Sequence, residues 1–202
     1  MARKPVQKRA IATYEKLLDA AGELLEELGV ERISTNLVAK RAGVSPPTLY
    51  NYFSDKYDLL AALGERLMER QNALVPLDPG VDERAIAAAL LAHIEVTLAH
   101  PGGPWVMRML RAVPQLAKVR LASHRALAAQ LVEQALALDP SLDRTALERR
   151  SRLVVELGYA AIEMVFDESG QDAEAIMLDT ARAIGALLDQ SNGQAQSDRQ
   201  LP

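Results

Sequence analysis

Thr35, Ser45, Thr48, Tyr50, Tyr52 and Lys56 gather five hydroxyls and one ammonium between residues 35 and 56. Such groups donate hydrogen bonds to phosphate oxygens. Among them stands Asn51, whose carboxamide suits bidentate pairing with the edge of adenine. This is the chemistry of binding rather than of bond making. No nucleophile–base set and no glycine-rich phosphate loop occurs along the chain. The absence of cysteine removes disulfides, thiolate zinc sites and a cysteine nucleophile. His93, His100 and His124 are too far apart, and too poorly supported by acids, to argue a metal site, and they read as core or surface residues.

The elements that position these residues are short helices. Ser34 is a plausible N-cap for a helix over Thr35 to Ala42, which stops at Gly43. Ser45-Pro46 starts another, a capping serine with proline at the first helical position, running to about Tyr52. The tight turn Ala42-Gly43-Val44-Ser45 joins the two, and Leu37, Val38, Val44 and Leu49 are placed to pack them together. Glycine suits the turn because a left-handed backbone is cheap only without Cβ. The pattern is a helix-turn-helix, in which the second helix enters the major groove of DNA. Half of the eight aromatic residues, Tyr50, Tyr52, Phe53 and Tyr57, crowd into this segment.

The remainder of the 202-residue chain also reads as helix. It holds 33 Ala and 31 Leu against 14 Val and 7 Ile, which favours helix over strand. Residues 9–28 carry an apolar helical stripe from Ile11 through Leu28, and Gly29 supplies a left-handed stop. Ser54 is expected to cap a fourth helix reaching about Leu74. The turn cluster at 76–80 precedes helices over 82–99, 105–112, 116–138, 143–166 and 172–189. The fold expected is all-α with about nine helices. A helix-turn-helix domain would span residues 1–56, with a basic arm over 1–10, and a helical body 57–190. A polar tail, 191–202, reads as disordered.

The net charge of −4 argues against a nucleic-acid partner until it is divided along the chain. Residues 1–56 hold nine basic and seven acidic side chains; the remainder holds 14 basic and 20 acidic. A small phosphate-facing head on an acidic body has this distribution. No apolar run approaches the ~20 residues that a membrane span needs, so no membrane partner is expected. The N-terminus lacks the apolar stretch of a signal peptide, which with zero cysteine points to a soluble intracellular protein.

Residues Thr35, Val38, Ala39, Ala42, Gly43, Val44, Ser45, Thr48, Leu49, Tyr50, Tyr52, Phe53, Lys56 and Leu59 make the segment resemble the DNA-binding region of the TetR family of bacterial transcriptional regulators. The resemblance covers about the first sixty residues; beyond them only helix number and lengths agree. It implies a homodimeric, ligand-responsive repressor of the bacterial cytoplasm, with double-stranded DNA, a second copy and an unidentified small-molecule effector as partners. No cofactor and no enzymatic activity are implied. Thr35 would touch phosphate, with Asn36 close to the groove. Ser45 would start the recognition helix, and Pro46, Pro47, Thr48, Tyr50, Asn51 and Tyr52 would form its reading face or its backbone contacts. Lys56 would hold a phosphate at the start of the fourth helix. Leu49 and Phe53 should be core, and Tyr57 is read as core packing. The two prolines leave few base donors and suggest methyl contacts with thymine. The arm residues Arg3, Lys4, Lys8 and Arg9 suit either backbone or minor-groove contact or a solvated end.

In the body, small and apolar residues recur at heptad-like spacing: Val154, Gly158, Ala161 and Val165, then Ile176, Thr180, Ala183 and Leu187. The resemblance makes these a dimerisation pair; an intramolecular core stripe has the same pattern. Candidate effector-lining residues are Trp105, Arg108, Met109, Tyr159, Glu163 and Met164, with Met107, His124 and Phe166 beside them. For each one alone, ordinary core packing or surface exposure is the commoner role. A transcriptional activator and a helical protein-interaction module remain open alternatives.

Overall fold

The computed structural model describes residues 4–75 and 81–197, with side chains to Leu188. Nine helices and no strand occur among the described residues: α1 (Lys8–Arg32), α2 (Thr35–Arg41), α3 (Pro46–Tyr50), α4 (Lys56–Asn72), α5 (Glu83–Ala99), α6 (Gly103–Ala112), α7 (Pro114–Leu138), α8 (Arg144–Asp167) and α9 (Ala173–Ser197). The all-α expectation therefore holds. The turn at 76–80, Arg3 and the last five residues of the expected tail lie outside the described residues. The rest of that tail differs, because α9 continues to Ser197 rather than ending at 189. Pro114 opens α7, ahead of the expected start at 116, since the first helical turn has no amide partner to lose. No single described helix is long and apolar enough to cross a membrane.

The helices group into two compact units, Met1–Arg70 with Val96–Leu121, and Gln71–Glu95 with Ala122–Pro202. In the first, the apolar stripe of α1 buries Tyr14, Leu17, Leu18, Ala21, Leu24 and Leu25. Val38 and Ala39 of α2, Leu49 of α3, Phe53, and Leu60, Leu63 and Leu67 of α4 complete the core. Gly29 sits at φ 74°, so the regular part of α1 ends where the sequence places its stop. The α5–α6 turn belongs to this unit and lies directly on α1. A Cβ built on Gly22 would stand 2.1 Å from the Pro101 carbonyl oxygen, so only glycine permits the backbones to meet.

One buried cation ties these elements together. Arg66 of α4 donates from Nη1 to Glu15 and Asp19 of α1, at 2.8 Å each. Its Nε–H donates to His100 Nε2 at 3.1 Å, and His100 Nδ1 lies 3.1 Å from the Pro101 carbonyl oxygen. An imidazole that accepts at Nε2 and donates at Nδ1 is neutral. The second unit is built on α8 packed against α9. Its core combines Ile86, Leu90, Leu127, Val132, Val155, Ile162, Met177 and Ile184. All three histidines are buried, which settles them as core residues.

Burial, with the Arg66 guanidinium beside it, pulls His100 down to about 4 from an ordinary 6.5. The unfolded chain therefore takes up this proton at higher pH than the folded one, and stability falls as pH drops from 6.5 toward 4. Burial depresses His93 too, and acts in the same direction. Thermal melts followed by circular dichroism should show Tm falling between about pH 7 and pH 5, with His100→Gln flattening the fall. A Tm independent of pH there would contradict the arrangement.

Candidate nucleic-acid interface

Of the residues expected to meet DNA, Thr35 and Asn36 open α2, Ser45 to Tyr52 form α3 and its two ends, and Lys56 opens α4. Both short helices are capped as their sequences imply: Ser34 Oγ accepts from the Leu37 amide at 3.3 Å, and Ser45 Oγ from the Thr48 amide at 3.4 Å. Gly43 takes φ 68° in the turn between them. Beneath, Val38, Leu49 and Phe53 are fully buried. Above, Asn36, Ser45, Pro46, Pro47, Tyr50 and Asn51 are exposed, and Thr35 and Thr48 are half-buried.

Several expectations change once partners are visible. Leu37 does not pack the two helices together; it is 40% exposed on the outer face of α2, while Val38 takes the inward position. Tyr50 points outward at 51% exposure, and its hydroxyl lies 3.0 Å from Thr35 Oγ1, so two expected phosphate contacts hold each other. The Ser45 and Thr48 hydroxyls likewise pair at 2.8 Å. Tyr52 is half-buried, its ring edge-on to Tyr14 with centroids 5.9 Å apart and tilted toward Phe53 at 6.2 Å. Tyr57, read as core, is instead exposed with Lys56 Nζ 5.4 Å from its ring centroid. The cap of α4 is Asp55, whose carboxylate accepts from the Asp58 amide at 2.9 Å, rather than Ser54.

The cations of this region hold the fold together. Arg41 binds both carboxylate oxygens of Glu27 at 2.8 and 2.7 Å and Glu23 at 3.0 Å, pinning α2 to α1. The guanidinium holds the Glu27 carboxyl below its ordinary range. Lys56 Nζ donates to the Val30 carbonyl at 3.0 Å. The left-handed break at Gly29 deprives that part of α1 of regular helical bonding, and the ammonium supplies a donor. In the arm, Lys4 pairs with Glu69 at 2.7 Å, and Lys8 and Arg9 fall in the first turn of α1. Nothing in residue spacing alone signalled these pairings, because each joins segments distant in the chain.

The expected effector-lining residues are divided between the two units. Trp105, Arg108 and Met109 lie in the first unit, while Tyr159, Glu163 and Met164 lie in the second. Met109 is buried. Trp105 is exposed with the exposed Arg108 guanidinium 5.4 Å from its ring centroid, and Met164 is exposed. In the second unit the polar centre is Tyr159. Its hydroxyl donates to Asn72 Oδ1 at 3.0 Å, Asn72 Nδ2 donates to Ser123 at 2.8 Å, and the His124 ring stacks on it at 4.2 Å. His93 meets Tyr159 edge-on at 6.2 Å. Burial pushes the Tyr159 phenol up, so it stays protonated as a donor.

The heptad-like stripe of α8 turns largely inward. Gly158 and Ala161 are buried, and a Cβ on Gly158 would meet Leu90 at 3.2 Å. Thr180 is buried and bonds its own helix at the Ile176 carbonyl, 2.7 Å away. Val154, Val165, Ile176 and Leu187 are half-buried, and Ala183 is exposed. One position round, Leu153 is 50% and Met164 42% exposed, with exposed Ala160 and half-buried Leu157 between them.

If the Lys56 ammonium supports the fold as well as any phosphate, Lys56→Met must lower stability in the absence of DNA. Loss of one charge-assisted hydrogen bond predicts about 1–2 kcal/mol, or a Tm lower by roughly 2–8 °C for a chain this size. An unchanged Tm would show the bond to Val30 to be immaterial.

Comparison with known proteins agrees with this geometry. Residues 17–63 match the profile of Bacterial regulatory proteins, tetR family. An uncharacterised HTH-type transcriptional regulator of Bacillus subtilis, YvdT, is 39% identical over 61 residues, which is 30% of this chain and 31% of that protein. A tetR-family transcriptional regulator from Streptomyces coelicolor superposes with a TM-score of 0.69 at 19% identity, covering 91% of this chain and 83% of that one. The regulator FadR from Bacillus subtilis, solved with stearoyl-CoA, superposes with a TM-score of 0.64 at 18% identity, over 86% of this chain and 98% of that one. At these identities the two structures establish a shared fold, whereas the sequence match stays within the N-terminal region. The N-terminal region thus matches the tetR family model, and the chain shares its nine-helix fold with solved tetR-family regulators, while it spans only about a third to a half of the length of the curated relatives it matches.

Proposed function

We propose that the protein is a sequence-specific DNA-binding transcriptional regulator, a homodimer that represses at a palindromic operator and is released by a small molecule. The observation that carries this reading is the exposed face of Pro46, Pro47, Tyr50 and Asn51 on α3, held over the fully buried Leu49 and Phe53. A short helix fixed from beneath and open above fits a major groove. Asn51 would meet a base edge, and Thr35, Tyr50 and Lys56 the phosphates. The reading face and arm belong to a domain spanning residues 1–56, and residues 57–190 form the regulatory body. An effector would act through α4, which runs from the first compact unit into the second at Arg70–Gln71. The polar centre around Tyr159, His124 and Asn72 supports a regulatory site for a ligand with hydrogen-bonding groups.

For the dimer, the exposed face of α8 at Leu153, Leu157, Ala160 and Met164 supports the contact better than the buried Gly158 and Ala161. Its 4-3-4 spacing keeps these residues on one side of a helix. Val154, Val165, Ile176, Ala183 and Leu187 would flank it.

Electrophoretic mobility shifts of the full-length protein on DNA upstream of its own gene neighbourhood, with a salt titration, test the first part. Specific binding should persist at moderate salt. Asn51→Ala should weaken it by about 10–100-fold, the cost of one bidentate base contact of 1–3 kcal/mol, with Tm unchanged. No specific complex would sink the reading. The dimer is tested by sedimentation equilibrium. The wild type should sediment as a dimer, and Leu153→Glu with Met164→Glu should shift it toward monomer, because two carboxylates per chain would be desolvated in the contact. A wild-type monomer would overturn it.

A further inference from the structure

The chain from Ala42 to Ser54, the turn and the whole of α3, contains no charged residue and no glutamine. Reading guanine directly calls for arginine or lysine on its O6 and N7, and reading cytosine for a carboxylate on its N4. Neither type is present here. The structure removes further candidates. Arg41 is held by Glu23 and Glu27, and Lys56 donates to Val30. Thr35 pairs with Tyr50, and Ser45 with Thr48, which leaves one hydroxyl proton per pair, enough for a phosphate contact. What stands open is the amides of Asn51 and Asn36, two proline rings at Pro46 and Pro47, and Leu37 exposed on the outer face of α2.

Resting on the reading of the chain as a sequence-specific DNA binder, we infer that its operator half-sites are read as A·T pairs. Asn51 recognises an adenine edge, and Leu37, Pro46 and Pro47 recognise thymine 5-methyl groups. The apolar trio has the chemistry for a methyl and none for a polar edge, since the prolines carry no amide hydrogen and leucine no donor. An exposed leucine and two exposed prolines are otherwise apolar surface left to water. Lys40, exposed on the last turn of α2, lies outside the uncharged stretch of the turn and α3 and is assigned to phosphate, where it adds affinity without sequence information.

The test uses the full-length protein and a pool of duplexes with a randomised central region. Selection should yield paired half-sites whose invariant positions are A·T. The selected duplex is then synthesised with thymine, and again with uracil at the half-site thymines, which deletes only the methyl groups. Each contacted methyl is worth about 0.8 kcal/mol, or roughly fourfold in Kd, so the uracil duplex should bind at least about tenfold more weakly. Uracil outside the half-sites should leave Kd unchanged. Leu37→Ala, an exposed position whose change should leave Tm alone, should weaken binding to the thymine duplex and narrow the gap between the two duplexes. Half-sites dominated by invariant G·C pairs, or equal binding of thymine and uracil duplexes, would overturn the inference while leaving DNA binding in place. Failure to select any motif would instead remove the DNA-binding reading on which it rests.

Discussion

A helix of five residues cannot hold its own shape in water, because nucleation costs more than so few hydrogen bonds return. The exposed face proposed to meet DNA depends on that constraint on α3. Its start is set by a serine cap and a proline whose backbone angle is already helical. Its underside is Leu49, continued by Phe53 just beyond its end, and both are completely buried. Phe53 stacks on Tyr14 with ring centroids 5.1 Å apart, so the long helix α1 acts as the platform. Burial also raises the Tyr14 phenol to about 12, keeping it neutral within that core. The outward residues inherit their positions from this underside.

The cations of the head illustrate how charge and function separate. A count of basic residues in the first 56 positions suggests a surface prepared for phosphate. The structure assigns several of them to internal work. Arg41 clamps α2 to α1, Lys56 satisfies a carbonyl of the broken end of α1, and Lys4 lies against Glu69. Arg66 bridges α1, α4 and the end of α5 through two carboxylates and an imidazole. A buried guanidinium is tolerated where such partners meet it, here at Nη1 and Nε. The positions of α1, α2 and α4 relative to one another thus rest on ion pairs as well as on leucine packing.

The fold and the helix-turn-helix were legible from local rules. Caps at Ser34 and Ser45, the left-handed glycines at 29 and 43 and the apolar stripe of α1 each act over a few residues, so spacing reveals them. Misreadings fell where side chains meet partners far along the chain. Leu37 and Val38 are adjacent apolar residues, and only packing against α1 decides which turns inward. Tyr57 lay among aromatics that do form a core, yet one position of helical rotation leaves it outside. On α8, Gly158 and its neighbours share a heptad-like pattern with any buried helix face, and the exposed stripe beginning at Leu153 is offset by one residue.

The sequence by itself determined the helical class, the position of the turn and the residue types available to touch DNA, because those depend on propensity, capping and composition. The absence of charge on α3 is likewise a property of the sequence. Only the tertiary structure decided which hydroxyls and cations are occupied by the protein's own groups. Those pairings join Thr35 to Tyr50, Lys56 to Val30 and Arg66 to Glu15, Asp19 and His100. Contacts between residues so distant in the chain arise from how helices cross, which no local pattern encodes.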